Sequence, residues 1–165
     1  MKTAFRLLLF VALAAAGVWL WTVLFPGPEK IIRQRLASLA GTVSASANES
    51  DLARLMAAKT VAGFFATNVE MQVEVPLLDR HSSLDREEIA SAVLAARSRG
   101  GRLKVTFPDL NVTVAPDQQS AVADLTVEAK FSGDRDSLLQ EMKFTLRKVD
   151  GQWLIIRIET VRILS

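Results

Sequence analysis

Apolar and polar positions along the chain change rhythm several times, and each change marks an element. From Leu7 to Phe25 there is no rhythm: 19 residues run without a charge, as LLLFVALAAAGVWLWTVLF. As a helix this stretch spans ~28 Å, close to the hydrocarbon thickness of a bilayer. Trp19 and Trp21 sit near its C-terminal end, where indole rings favour the membrane–water interface. Pro26, Gly27 and Pro28 then interrupt it. Beyond Glu29 the spacing turns helical. Ile31/Ile32, Leu36, Leu39/Ala40 and Val43 predict a first helix. Leu52, Leu55/Met56, Ala58, Ala62 and Phe65 predict the buried stripe of a second, capped by Asn48 or Ser50.

Strict alternation takes over at Val69, Met71, Val73 and Val75, a half-buried strand ended by Pro76. Asp79-Arg80-His81-Ser82-Ser83 reads as a polar loop. A third helix opens with Asp85 at its cap and Glu88 three residues on, an acidic relative of the capping box. It ends at Gly100-Gly101, where Arg97 and Arg99 suit the negative end of a helix dipole. The remainder alternates as strands: Leu103 to Phe107, Leu110 to Val114, Ala121 to Phe131, Met142 to Leu146 and Gln152 to Leu164. Pro116 to Gln119 and Asp150-Gly151 supply turns, the latter a strong hairpin signal. The fold class is α+β, a curved antiparallel sheet wrapped around N-terminal helices and preceded by one transmembrane helix. Residues 1–28 form the anchor and residues 29–165 one domain.

Charge separates the same two pieces. All 18 acidic residues lie at or beyond Glu29, and of the 20 basic ones only Lys2 and Arg6 precede it. The domain is formally neutral, which excludes nucleic-acid binding by bulk electrostatics. A short basic N-terminal tip predicts a cytoplasmic N-terminus and a domain on the outer, periplasmic or extracellular, side. Small residues at Ala14-Ala15-Ala16 leave a cleaved secretory signal as the competing reading. Cysteine is absent, which removes disulfides, thiolate metal sites and a cysteine nucleophile. No metal-ligand spacing, phosphate loop or serine-nucleophile elbow occurs, so no cofactor is expected.

Two motifs point further. Asp85-Arg86-Glu87-Glu88-Ile89 and Asp150-Gly151-Gln152-Trp153-Leu154-Ile155, in an order of helix, helix, strand, helix and long strands, resemble the nuclear transport factor 2-like superfamily. Asp85 stands where that family usually has glycine. The resemblance implies the cone-shaped α+β roll of the cystatin-like class. It implies two functional possibilities: enzymes of the isomerase, dehydratase or cyclase type acting on apolar molecules inside the cone, or non-catalytic membrane-anchored assembly modules.

Enzymes of this superfamily use a pocket aspartate or histidine, often with tyrosine. This chain has no tyrosine and one histidine, His81. The apolar faces from Ala121 to Phe131 and from Met142 to Leu146 carry no titratable group, while Asp124 and Glu128 alternate onto the opposite face. On the last strand Trp153, Ile155, Arg157 and Glu159 share a face by alternation, so Arg157 and Glu159 are neighbours. Ligand-pocket candidates are therefore Arg157, Glu159, Trp153 and His81, against a solvated histidine and a surface ion pair. The other face of the strand begins with Leu154, Ile156 and Ile158, a candidate surface for a homodimer or another partner. Arg97, Arg99, Arg102 and Lys104 read as a solvated helix end and strand start, with contact to anionic headgroups as the alternative. The expected function is a membrane-anchored, non-catalytic binding or assembly module on the outer side, able to hold an apolar small molecule in its cone. The enzyme is the alternative.

Overall fold

The computed structural model describes residues 27–75, 78–98, 101–131 and 137–161, with the backbone alone for 73–75 and 78–81. The anchor segment Leu7–Phe25 lies outside the described residues. No helix among the described residues is long and apolar enough to cross a membrane.

Helix α1 (Pro28–Val43) starts with proline in its first turn, where the missing amide hydrogen costs nothing. It buries Ile32, Leu36, Leu39 and Ala40, whereas Ile31 turns outward. Helix α2 (Asp51–Ala62) is capped by Ser50, whose Oγ accepts from the Ala53 amide at 3.2 Å. Its expected stripe is only partly realised. Ala58, Val61 and Ala62 are buried, but Leu52, Leu55 and Met56 face solvent, and Phe65 belongs to the following strand. Helix α3 (Arg86–Ser98) is entered through a reciprocal capping box. The Glu88 amide donates to Asp85 Oδ1 at 2.8 Å, and the Asp85 amide to Glu88 Oε2 at 2.9 Å.

The strands are β1 (Phe65–Val75), β2 (Leu78–Asp85), β3 (Leu103–Thr106), β4 (Leu110–Val114), β5 (Ser120–Phe131), β6 (Leu138–Val149) and β7 (Gln152–Thr160). They form one unclosed sheet in the order β2-β1-β7-β6-β5-β3, with β4 also on β5. Two features depart from the sequence expectation. Residues 79–83, expected as a loop, are the middle of strand β2, paired antiparallel with β1 from Asn68↔Asp85 to Val75↔Leu78. An edge strand needs only one partner and no apolar alternation, so its polar composition hid it. And the sheet is not wholly antiparallel: β1 and β7 run parallel, with register shifting between Phe65 and Glu70.

The turns behave as composition demanded. Asp150 and Gly151 both take positive φ, 50° and 78°, as a two-residue hairpin turn between β6 and β7 requires. The inner face of the sheet, Ala121, Ala123 and Leu125 on β5 and Phe144 and Leu146 on β6, packs with Ile32, Leu36 and Val61 into one core.

Arginines tie the helices to the sheet. Arg33 Nη1 donates to the Leu110 carbonyl at 2.5 Å, Arg35 Nη2 to the Gly63 carbonyl at 3.0 Å, and Arg86 Nε to the Phe65 carbonyl at 2.9 Å. Arg35 also lies over the Phe64 ring, 5.0 Å from its centroid. Arg97 is the surprise. Rather than a solvated helix end, it is buried to 7% exposure and is the one charged residue of the described core. Its Nη1 meets Glu49 Oε2 at 2.5 Å, and its Nη2 donates to the Ser44 carbonyl at 2.8 Å and to the Thr42 carbonyl. Helix α1 has no basic residue in its own last turn, so Arg97 of α3 serves its C-terminal carbonyls.

Candidate functional site

Strand β7 decides where the candidate residues point. Its pairing with β6 runs from Val149↔Gln152 to Leu146↔Ile155, then resumes at Thr145↔Arg157. Ile156 is therefore an extra residue, a β-bulge, and it reverses the phase of alternation. Trp153 and Ile155 point inward before it; Ile158, opposite Phe144, points inward after it. Arg157 and Glu159, opposite Thr145 and Lys143, point outward.

Two sequence expectations are corrected by this single residue. Trp153 does not share a face with Arg157 and Glu159; it is a core residue at 2% exposure, packed in the main cluster. Ile158 does not share a face with Leu154 and Ile156; it is buried on the inner side. Nor is Glu159 the partner of Arg157. That partner is Glu70 of β1, directly opposite in the β1–β7 register, with Arg157 Nε at 2.7 Å and Nη2 at 2.5 Å from Glu70 Oε2. Both side chains are about half exposed or more, so the pair lies at the surface and contributes little to stability. His81 lies on β2, its backbone opposite Gln72 of β1; its side chain lies outside the described residues.

Around Arg157 the outer sheet face forms a groove of ≈ 1100 Å³. Its floor is Leu154 and Ile156, and Arg86, Arg147 and Arg157 surround it together with Glu70 and Asp150. Leu154 is 6% exposed at the bottom and Ile156 is half-buried. Chemically this surface can receive an anionic or amide group on guanidinium donors and an apolar group on the floor. Sequence reasoning found Arg157, Leu154 and Ile156 but missed Glu70, Arg86 and Arg147. Long-range pairing of β1 with β7 assembles them, and no local pattern encodes it.

The concave side is different. Its described buried residues are apolar, apart from Arg97, whose Nη1 and Nη2 are engaged by Glu49 and backbone carbonyls. Asp124 and Glu128 stay on the outer face, because the β5–β6 register runs unbroken from Ser120↔Arg147 to Ala129↔Leu138. Glu128 is held below the usual carboxylate range by hydrogen bonds from Lys130 and Thr106, with burial opposing them. Among the described residues no group of histidine, cysteine, aspartate and glutamate could hold a metal ion.

No protein-family model matches the chain, and no curated protein matches it in sequence. Solved structures do share its fold. One is a nuclear transport factor 2-like protein of unknown function from Pseudomonas putida, 14% identical, aligned over 83% of this chain and 87% of that one, with a TM-score of 0.62. A second, from Novosphingobium aromaticivorans, is a nuclear transport factor 2-like protein with a cystatin-like fold. It is 19% identical over 90% of this chain and 86% of that one, with a TM-score of 0.57. A third, from the same organism, is a candidate scytalone dehydratase, 14% identical over 81% and 83%, with a TM-score of 0.53. At these identities the likeness is one of fold: the described residues share the α+β fold of these structures, one of which is described as cystatin-like.

Proposed function

We propose that this protein is a non-catalytic binding or assembly module, carried on the outer side of a membrane by the uncleaved segment Leu7–Phe25. The observation behind this reading is the character of the concave face. In the described residues its buried side chains are apolar, and its one buried cation is spent on helix carbonyls and Glu49. General acid–base chemistry needs a titratable group at the reacting atom, and the candidates Arg157 and Glu159 point to the other side of the sheet. An apolar small molecule in the cone fits the lining chemistry, whereas one of the structural neighbours is named for a dehydratase type of activity. That activity is the competing outcome of the test. Single replacements His81→Ala, Arg157→Ala and Glu159→Ala are expected to restore the phenotype of a deletion strain as well as wild type. Loss of function in a variant that melts normally would move the reading to the enzyme.

The anchor has its own test. The chain should resist alkaline carbonate extraction, and externally added protease should reach the domain. Recovery of the full-length chain in the soluble fraction would remove the anchor.

The outer sheet face is proposed as a pairing surface for two copies. Its apolar content is smaller than the sequence suggested, because Ile158 is inside and Leu154 is already covered. Ile156 alone gains substantially, by no more than about 1.5–3 kcal/mol per copy, which does not exceed the cost of association in dilute solution. Confinement to one membrane raises the effective concentration enough to matter. Disulfide cross-linking of a Thr145→Cys chain in membranes should therefore trap dimers, and Ile156→Lys should abolish them. Monomers in both cases would end the case for pairing here.

A further inference from the structure

The groove on the outer sheet face sits where two ladders are irregular at once. Ile156 is the bulge residue of β7 against β6. On the other side of β7, strand β1 takes five steps from Phe65 to Glu70 while β7 takes two from Ile155 to Arg157. Ala66 and Thr67, in that arch, have no register partner on β7 or on β2, and with Asn68 they line one side of the groove. Arg147 of β6, directly opposite Leu154, lines the other. The result is a depression of ≈ 1100 Å³ over a floor of Leu154 and Ile156, large enough for a small organic ligand.

The three guanidiniums of this groove are not equivalent. Arg157 is spent on Glu70, through Nε at 2.7 Å and Nη2 at 2.5 Å from Oε2. Arg86 is held through Nε by the Phe65 carbonyl at 2.9 Å, which leaves its terminal nitrogens without an acceptor among the described residues. The Arg147 guanidinium has no acceptor there either. Against these two cations the lining sets one further carboxylate, Asp150, so the groove itself is one anion short. Its surroundings are acidic. Lys143 faces Asp124 and Glu159 in the neighbouring row, Lys148 lies opposite Trp153, and Asp85, Glu87 and Glu88 gather at the start of α3, Asp85 and Glu88 being turned onto each other's amides. The domain therefore exerts no long-range pull on anions, and a ligand is selected by contact with Arg86 and Arg147.

We propose that this groove binds a single-chain apolar carboxylate, with the carboxylate on Arg147 and Arg86 and the chain along Leu154 and Ile156. A monoanion cancels the surplus, and a forked guanidinium takes a planar carboxylate through two parallel hydrogen bonds. Arg86 is already held at one edge, so less freedom is lost on binding. The source of the ligand follows from the place of the groove, and this step rests on the anchored reading above. Pairing along β5 runs from Leu103↔Phe131 through Leu110↔Leu125 to Val114↔Ala121, next to Ser120↔Arg147. Helix α1 runs the opposite way: Ala45, just past its end, bonds to Leu103, and Arg33, near its start, to the Leu110 carbonyl. Its anchor end thus points to the end of the sheet that carries Arg147 and the Asp150-Gly151 hairpin, within reach of a fatty acid leaving the bilayer. A second copy paired across this face would cover the same groove, so the two occupants exclude each other.

Photolabelling of the full-length chain in phosphatidylcholine nanodiscs tests this. The probes are palmitate with a diazirine on its chain and the matching hexadecanol, and labelled peptides are mapped by mass spectrometry. Palmitate is expected to label segments 66–70 and 145–157, unlabelled palmitate to remove that label, and the alcohol to leave the groove unlabelled. Arg147→Gln should reduce the groove label about tenfold, the loss of one charge-assisted contact. Arg147→Lys should recover part of it, and Lys143→Gln, outside the groove, should change nothing. Equal labelling by acid and alcohol, or a groove label that survives Arg147→Gln in a chain of unchanged melting temperature, overturns the proposal. So does a label on the concave residues Leu125 and Phe144 alone, which gives the ligand to the cone, or loss of the groove label when phosphatidylglycerol is added, which gives the site to a headgroup phosphate. Thr145→Cys dimers that persist at saturating palmitate, with no groove label, overturn it in favour of a second copy. A groove label kept in a chain that carbonate extracts from membranes sinks the anchor and keeps the site; a chain that resists extraction but carries no groove label does the reverse.

Discussion

Arg97→Ala is expected to cost about 3–5 kcal/mol, a large share of the 5–15 kcal/mol that holds a domain of this size together. The guanidinium is buried between three acceptors: Glu49, the Ser44 carbonyl and the Thr42 carbonyl. Removing it leaves Glu49 Oε2 and the carbonyls of Thr42 and Ser44, at the end of α1, without their donor in a site where water has poor access. The melting temperature should fall by roughly 10 °C. Arg97→Lys should recover only part of this, because one ammonium cannot span a forked arrangement of acceptors. Arg97 Nε has no partner of its own, so the network is incompletely satisfied. Arg97→Met combined with Glu49→Leu should therefore cost less than Arg97→Ala alone, since the orphaned carboxylate is gone. Arg97→Ala melting within about 2 °C of wild type would refute the clamp.

The same clamp makes the fold acid-sensitive. Glu49 is held below the usual carboxylate range chiefly by the hydrogen bond from Arg97; burial opposes this, and the Ser46 amide supports it. A depressed folded-state value means that the stabilisation is complete above the unfolded-state value, about 4.3, and is lost as pH falls through the folded-state value. Melting curves collected below about pH 4 should show this loss in wild type. Glu49→Gln should be less stable at neutral pH and should flatten that acid limb.

Much of the fold was legible because each strand from β3 to β6 carries a one-sided apolar alternation and each connection carries proline, glycine or aspartate. The failures have physical causes that differ residue by residue. Strand β2, Leu78–Asp85, lies at the edge of the sheet and its sequence carries no apolar alternation, so nothing local distinguishes it from a loop. Leu52, Leu55 and Met56 keep helical spacing, yet α2 lies at the periphery and only its last turn is buried. Arg97 reads in the sequence as the cation of its own helix end, whereas it serves α1, whose last turn has no cation and is followed by Glu49. The site residues depended on one bulge. Leu154, Ile155 and Ile156 are consecutive and all apolar, so the phase of alternation cannot be read through them, and everything after Gln152 inherits the ambiguity.

Deleting Ile156 should cost little more than trimming it. In the native pairing the bulge absorbs one residue so that Ile158 meets Phe144 inside while Arg157 and Glu159 remain outside with Glu70 and Lys143 opposite them. Without that residue the ladder passes directly from Leu146↔Ile155 to Thr145↔Arg157 and Phe144↔Ile158, which keeps every later side chain on its native face. What is lost is the half-buried Ile156 side chain and the local twist of the bulge, about 1–2 kcal/mol in all. Ile156→Ala keeps the bulge, and at a half-buried site it should cost about 1 kcal/mol. Both variants should melt cooperatively, the deletion within a few degrees of Ile156→Ala. Thermal melts of the two full-length variants followed by near-ultraviolet circular dichroism, to which the buried Trp153 contributes, make the comparison. A deletion variant without a cooperative melt would mean that the bulge itself, and not only the phase it leaves behind, is required for the pairing of β6 with β7.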